Sequence, residues 1–387
     1  MYMSSTTCHR QIRGHTVTQM SSVIGTHGRW PTGTDYATAL QNPSSAFTKP
    51  RLRAASAAKN TMGVPLVASG QNAVVFLLRT DQGDQAVRCF TTPPSDGAQR
   101  YDALGQHLST KTSSAMTVSN WLHDGICVDG KSFPIVVMPW VEGQPLSLAV
   151  EDAVGDPDQL RRMAHEWVRV VVELQAIDVT HGDLQHGNVL VSADGRFSLV
   201  DLDGSWVPSM QVGAPNESGH PNYQHPLRSA SQWGRFGDSF SALVIEVGLR
   251  ALAADASLER YLSGENLLFE RADLLDPRRP VWHDVGASTD LEVVRLSTLL
   301  ARRALDAPER SMVAYADLRS GSSSAPTPSV RPPVAAPMPV QPSPASTEAA
   351  LTWPAMWYPD PSGSADIRYW DGQRWTDHVA VRSAKRL

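Results

Sequence analysis

Two short polar segments carry the residues whose types and spacing could do chemistry, HGDLQHGNVLV at 181–191 and LVDLDG at 199–204. Their carboxylates are Asp183, Asp201 and Asp203, and Asn188 lies between them with an amide. Carboxylate and amide oxygens suit Mg²⁺, which proteins usually hold with one or two carboxylates and the phosphates of a substrate. A carboxylate left free beside that metal can accept the proton of an attacking hydroxyl group. The segments therefore predict phosphoryl transfer from ATP.

The local elements should bring these side chains together. NVLV and RFSLVD, joined by SADG, predict a β-hairpin, because two β-rich runs flank a turn that contains glycine. Antiparallel pairing then returns Asp201 to the neighbourhood of Asn188. Asp183 precedes Asn188 by five residues, at the end of the loop that leaves a long helix. The alternative is that these residues only cap turns, which Asp and Asn favour.

Hydrophobic periodicity predicts the helices around the hairpin. The long helix is expected from about residue 158, because apolar residues recur there at spacings of three and four: Leu160, Met163, Trp167, Val170, Leu174 and Ile177. Two further helices are expected over 236–253 and 290–305 by the same spacing.

Strands are predicted upstream of that helix. VVFLLRT at 74–80 and QAVRCF at 85–90 flank a turn that contains glycine, so they predict a hairpin. SFPIVVMPWVEG at 132–143 begins as a buried strand that Pro139 should end. Most strands are therefore expected before the long helix, and most helices from that helix onward.

Composition excludes several classes of protein. The 387 residues include 34 basic and 39 acidic side chains and carry a net charge of −5, which argues against a nucleic-acid binder that neutralises phosphates. Three dispersed cysteines form no CxxC pair, so neither a disulfide framework nor a zinc site is expected. No apolar run approaches the length of a membrane span, and the first residues lack the apolar region of a signal peptide. We expect a cytoplasmic protein without a transmembrane segment.

Composition also divides the chain into four parts. Residues 1–28 are polar, lack periodicity and are expected to be flexible; a domain at 29–318 follows. The stretch 319–350 is rich in Pro, Ser and Ala and cannot bury a core, so it predicts an extended linker. Residues 351–387 hold four of the eleven tryptophans and predict a very small domain. Packed tryptophans would be its core, whereas exposed ones would form a binding patch; we expect the core.

The two polar segments resemble the catalytic loop and metal-binding segment of the protein-kinase-like superfamily, whose patterns are H-R-D-x-x-x-x-N and D-F-G. The resemblance assigns Asp183 as the catalytic residue and Asn188 and Asp201, with Asp203 as a further candidate, as metal ligands. Glycine replaces the Arg of H-R-D, as in small-molecule kinases of the aminoglycoside and choline type. The ensemble looks like a bacterial kinase-like family over about residues 29–318, on motifs WPTGTDYATALQNPSSAF, AVRCF, VVMPWVEG, HGDLQHGNVLV, VDLDG and GHPNYQHP.

That resemblance implies a fold and a nucleotide site. The fold is an α+β, bilobal protein-kinase-like one, with a small β-rich N-lobe and a helical C-lobe. LVASGQNAVVFLL resembles the glycine-rich loop but keeps only Gly70 of its glycines. Met138 begins the segment that receives adenine, and Val141 is expected to donate to it because Pro139 has no N–H. Arg88 stands where the phosphate-binding Lys is expected and is assigned to phosphate.

Other residues carry weaker assignments. Asp238 either braces the catalytic loop, as in kinases, or caps a helix. His181 is expected to be structural, and His186 could be exposed to solvent. The Glu that pairs with the Lys in active kinases is missing, since no Glu occurs between Arg88 and Glu142.

These observations leave three functions open. The first is an ATP- and Mg²⁺-dependent kinase that acts on Ser or Thr of a protein. The second is a pseudokinase that serves as a nucleotide-dependent scaffold or signalling adaptor, and the missing Glu favours it. The third is a small-molecule hydroxyl kinase, suggested by His-Gly-Asp. The tail resembles a small bacterial domain of unknown function marked by WYPDP and RYWDGxxWT, and we expect it to bind a protein partner.

Overall fold

The computed structural model describes residues 29–70, 72–214, 219–229 and 232–321, together with three strands near the C-terminus. The chain divides into two compact units, one within 1–327 and the other within 328–387. The predicted flexible N-terminus and nearly all of the predicted linker lie outside the described residues.

A six-stranded antiparallel sheet forms the first part of the larger unit, in the order β1-β3-β4-β6-β5, with β2 also on β3. Its strands are β1 Ser56–Ala57, β2 Val67–Ser69, β3 Ala73–Arg79, β4 Gln85–Phe90, β5 Asn120–Val128 and β6 Lys131–Pro139. All six residues of β4 are buried. Arg88 on β4 lies opposite Val75 on β3 and Val136 on β6, so these three side chains share one face of the sheet.

Helices cover the sheet: α1 Gly33–Ala39, α2 Pro43–Ala46, α3 Pro50–Arg53 and α4 Gly97–Thr110. A capping box starts α1, because the Thr32 hydroxyl accepts from the Asp35 N–H and the Asp35 carboxylate accepts from the Thr32 N–H. One face of α4 is buried, with Tyr101, Leu104 and Leu108 at helical spacing.

The second part of the larger unit is mainly helical. Its helices are α5 Leu146–Ala153, α6 Pro157–Ala176, α7 Ser239–Ala254, α8 Arg271–Leu275, α9 Pro280–Gly286, α10 Leu291–Leu305 and α11 Tyr315–Ser320. A small antiparallel sheet lies among them, made of β7 Gln144–Pro145, β8 Val189–Val191 and β9 Phe197–Leu199. The core centres on α7, nearly all of whose residues are buried, and on the apolar face of α6.

Both predicted hairpins, the strand that ends at Pro139 and the three predicted helices are confirmed, with shifts of a few residues at some ends. Mixed helix and strand content around an antiparallel sheet agrees with the predicted α+β class. No helix in the described part of the chain is long and apolar enough to cross a membrane.

The smaller unit contains an antiparallel three-stranded sheet in sequence order, β10 Met356–Pro359, β11 Ile367–Trp370 and β12 Trp375–Ala380. The backbone of Trp370 pairs with that of Trp375, next to an irregularity in register. The predicted packing of the tryptophan side chains lies outside what is described.

Candidate active site

A buried carboxylate anchors the loop that carries Asp183. Asp238 lies at the start of α7, and its two oxygens accept the backbone N–H groups of His181 and Gly182 at 2.5 and 2.8 Å. Its side chain makes no capping bond to α7, so the bracing role is the one that the structure shows. Burial raises the pKa of Asp238, and the two donated hydrogen bonds oppose that rise.

His181 is structural, as expected. Its Nδ1 accepts the Asp183 N–H at 3.3 Å, so its Nε2 carries the proton that it donates to the Val200 carbonyl at 2.9 Å. Both ring nitrogens are therefore engaged with backbone, and the fully buried ring ties the loop to the end of the β8–β9 hairpin.

Gly182 and Gly204 are in backbone contact, which explains both glycines. Gly182 has φ +85°, and a Cβ there would lie 2.2 Å from the carbonyl oxygen of Gly204. A Cβ on Gly204 would lie 3.1 Å from the His181 oxygen. The glycine that replaces the Arg of H-R-D is thus required by this contact.

Asp183 is held by hydrogen bonds to both carboxylate oxygens. Oδ2 accepts from Asn188 Nδ2 at 2.9 Å and from Gln185 Nε2 at 3.1 Å. Oδ1 accepts the backbone N–H of His220 at 2.7 Å. Gly219, just before it, has no room for a Cβ, which would lie 2.5 Å from Gln224 Nε2 and 2.9 Å from Asp183 Oδ1. The GHPNYQHP segment therefore packs directly on Asp183.

The hairpin brings Asp201 to Asn188, as predicted. The Val200 N–H donates to the Asn188 carbonyl at 3.0 Å, and Asp201 then turns with φ +62°. Desolvation raises the pKa of Asp201, the positive charge of Arg88 opposes that rise, and the charge of Asp203 adds to it.

The oxygens around this turn suit a hard cation. Oδ1 of Asn188 and Oδ2 of Asp201 accept no hydrogen bond from the described residues. Within those residues, no group of three or more His, Cys, Asp or Glu side chains has the arrangement of a metal site. An incoming Mg²⁺ would thus depend on phosphate oxygens and water for most of its ligands, as is usual for Mg²⁺–nucleotide sites.

Arg88 lies between the two carboxylates of LVDLDG. Its Nη2 is 3.1 Å from Asp201 Oδ1 and 2.5 Å from Asp203 Oδ2, and only 9% of the residue is exposed. Burial alone would lower the pKa of Arg88, but the charges of Asp203 and Asp201 outweigh burial and raise it. Its Nε is buried and has no acceptor among the described residues.

Asp203 has a second partner that the sequence did not indicate. The Tyr101 hydroxyl, on α4, donates to Asp203 Oδ1 at 2.6 Å. Burial raises the pKa of Tyr101 well above its usual value, and the charge of Asp203 raises it further. Both oxygens of Asp203 are engaged, whereas the sequence made it a candidate metal ligand.

A cavity of ≈ 340 Å³ opens in front of these groups. Its lining includes the three carboxylates Asp183, Asp201 and Asp203 and residues of the β4–α4 connection. The full lining is Asn72, Phe90, Thr92, Pro93, Pro94, Ser95, Gly97, Arg100, Tyr101, Asp183, Asp201, Asp203, Gly204 and Gly219. The volume is in the range of small-ligand pockets.

The other residues predicted to bind the nucleotide lie on strand β6 or just beyond the ends of β2 and β6. Gly70 follows β2 and closes a turn through its N–H to the Ala73 carbonyl at 2.9 Å. Met138 lies opposite Ala86 on β4, so it shares a sheet face with Arg88. Gly70, Met138 and Val141 do not line the cavity.

The expectation that His186 is exposed is wrong. The residue is buried; its Nδ1 is 2.5 Å from the Tyr223 hydroxyl and its Nε2 3.1 Å from the Gly264 carbonyl. These partners come from segments 37 and 78 residues away, which local polarity could not reveal. Burial lowers the pKa of His186.

Comparison with known families supports part of this picture. Residues 63–180 match a family described as "Phosphotransferase enzyme family". The match spans less than a third of the chain and stops before Asp183, Asn188 and Asp201. Residues 355–386 match a family described as "Protein of unknown function (DUF2510)", consistent with a small C-terminal domain. No curated protein matches the chain. The matched segment contains β2 to β7 and α4 to α6, so these elements are similar to a kinase-like phosphotransferase.

Proposed function

We propose that this protein is an ATP- and Mg²⁺-dependent phosphotransferase that acts on a hydroxyl group. One observation carries the proposal: Asp183, Asp201 and Asp203 line a single cavity, with Asn188 bonded to Asp183 and Arg88 to the other two. Carboxylates that line a cavity, with an amide and a guanidinium bonded to them from behind its lining, are the parts that phosphoryl transfer needs.

Asp183 would receive the proton of the acceptor. As the hydroxyl oxygen bonds to the γ-phosphorus, its proton passes to the carboxylate, and the bond from phosphorus to the β,γ-bridging oxygen breaks to release ADP. Asn188, Gln185 and the His220 N–H donate three hydrogen bonds to Asp183, so they fix the direction of the carboxylate.

Asn188 and Asp201 would hold Mg²⁺ through oxygens that accept no hydrogen bond from the described residues. Bound with ATP, Mg²⁺ would neutralise charge on the phosphates. Asp203 was a further candidate for this role from the sequence.

Arg88 would contact the phosphates, because a guanidinium has five N–H donors and its two ion pairs pass through Nη2 alone. Adenine would lie along Met138 and beneath the turn at Gly70. Pro139 has no N–H, and the Trp140 N–H donates to the Asp84 carbonyl at 3.0 Å. The Val141 N–H makes no hydrogen bond within the described residues, which supports it as the donor to adenine.

The side chain of Ser or Thr in a protein is the first acceptor to test, and a small molecule is the second. Protein and Mg²⁺ with labelled ATP are incubated with cell extract and, separately, with a panel of hydroxylated metabolites. Label should pass to one of the two, and Asp183→Asn should abolish transfer while it spares ATP binding, because the base acts on the acceptor proton. Transfer by Asp183→Asn at the wild-type rate would show that Asp183 is not the base.

A nucleotide-dependent scaffold is the second candidate. Arg88 is already paired with Asp201 and Asp203, so nucleotide could bind without productive metal placement. ATP binding with no transfer to extract or metabolites would support this function. In either case the C-terminal unit would attach the protein to a partner, and the larger unit would remain a kinase-like domain of two lobes.

A further inference from the structure

Arg88 takes its counter-ion from the LVDLDG segment and not from the helix that follows β4. The acids near the start of α4, Asp96 and Asp102, are both exposed, and neither contacts Arg88 in the part of the chain that is described. Asp203 Oδ2 contacts the guanidinium instead, closer than Asp201 does. The charge lost with the missing helix Glu is therefore supplied from another element.

Helix α4 nevertheless reaches this ion pair through Tyr101. The hydroxyl donates to Asp203 at 2.6 Å, and the ring stacks on Trp121 of β5, with centroids 6.1 Å apart and planes at 25°. Because the ring is buried against the sheet, any displacement of α4 would move the donor that holds Asp203. The carboxylate of Asp203, in LVDLDG, therefore contacts Arg88 of strand β4 and Tyr101 of helix α4.

We propose that Asp203 orients Arg88 and that Tyr101 positions Asp203, so that both are positioning residues and neither binds metal. The inference rests on the proposed function for the identity of the ligand, ATP. Without Asp203, the guanidinium would retain only Asp201 as a carboxylate partner and would lose the contact that fixes its direction toward the phosphates.

ATP binding with and without metal separates this role from metal ligation. Asp203→Asn should lower the affinity for ATP about tenfold, which is the value of one charge-assisted contact. Calorimetry should show the same loss in the presence of Mg²⁺ and in excess chelator. Asn188→Ala is the matched control and should lose affinity only with Mg²⁺. Adenosine affinity should not change, and Asp203→Glu should restore part of the loss. A loss confined to Mg²⁺ would make Asp203 a metal ligand and overturn the inference.

A second experiment needs no nucleotide. In a double-mutant cycle, Arg88→Gln and Asp203→Asn should be coupled by about tenfold in the unfolding equilibrium constant, as expected for residues in contact. The control cycle, Arg88→Gln with Asp102→Asn, should be additive, because Asp102 is exposed and makes no contact with Arg88. Tyr101→Phe should reduce the coupling, whereas Tyr36→Phe should not, since the Tyr36 hydroxyl donates to the Phe90 carbonyl and lies on α1.

The two experiments keep failures apart. If the wild type binds no ATP, the proposed function fails and the cycle alone decides the role of Asp203. An additive cycle for Arg88 and Asp203 would overturn the positioning role whatever the protein binds.

Discussion

Gly182→Ala is expected to damage the catalytic loop through a single methyl group. The residue has φ +85°, and its new Cβ would lie 2.2 Å from the Gly204 carbonyl oxygen and 2.8 Å from the carbonyl carbon. That oxygen cannot move freely, because it accepts the Trp233 Nε1–H at 2.9 Å. The clash must therefore push the loop away from LVDLDG, and Asp183 moves with it.

Gly195→Ala is the matched control. It lies in the turn of the neighbouring hairpin with φ +80°, but nothing lies within 4 Å of its added Cβ. Gly195→Ala should lower the free energy of unfolding by about 1–2 kcal/mol, because alanine must adopt the left-handed backbone conformation. Gly182→Ala should add the clash, roughly 1–3 kcal/mol or more for an overpacked site, to that same backbone cost. The difference between the two variants isolates the glycine–glycine contact.

Chemical denaturation of both variants measures this difference. Thermal denaturation gives a second measure, since each kcal/mol lost from the free energy of unfolding should lower the melting temperature by about 2–4 °C for a domain of this size. Phosphoryl transfer should be lost in Gly182→Ala and retained in Gly195→Ala. Equal free energies of unfolding for the two variants would refute the close approach of the two backbones and with it our explanation of the His-Gly-Asp sequence.

Three further outcomes are expected. ATP should raise the melting temperature weakly in chelator and clearly with Mg²⁺, and equal shifts would remove the metal role of Asn188 and Asp201. Arg88→Ala should lower the affinity for ATP roughly ten- to a hundredfold by calorimetry, because a charge-assisted contact to phosphate is worth about 1.5–3 kcal/mol. The affinity for adenosine should change little, because adenosine carries no phosphate. Burial lowers the pKa of His186, so the unfolded chain binds its proton first and stability should fall as pH drops below the ordinary value of 6.5. In His186→Gln, the melting temperature should depend less steeply on pH between about pH 7.5 and 5.5. A melting temperature that falls with pH as steeply as in the wild type would contradict the burial argument.

Local pattern was enough to predict the centre of the site. The β8–β9 hairpin could be recognised from two β-rich runs and a turn, and its register alone places Asp201 beside Asn188. The apolar face of α6 was equally visible, since its residues repeat at helical spacing over five turns. Where chain neighbours decide the geometry, residue types and spacing were sufficient.

Contacts between distant segments could not be predicted in that way. Tyr101 reaches Asp203 across 102 residues and the His220 N–H reaches Asp183 across 37. Short or mixed elements were missed too: β5 interrupts its apolar pattern with His123, Asp124 and Gly125 and has an irregular register there. These features depend on which surfaces meet after folding, and the sequence shows only that the residues exist.

The departures from the kinase pattern are physically connected. Asp203 stands where the kinase pattern has its last glycine, and the carbonyl of the next residue, Gly204, leaves no room for a side chain at Gly182. The same acid neutralises the buried Arg88, which an isolated replacement of Lys by Arg would leave with Asp201 as its only carboxylate partner. Each departure from the pattern thus has a structural partner of its own: Arg88 pairs with Asp203, and Gly182 packs on Gly204.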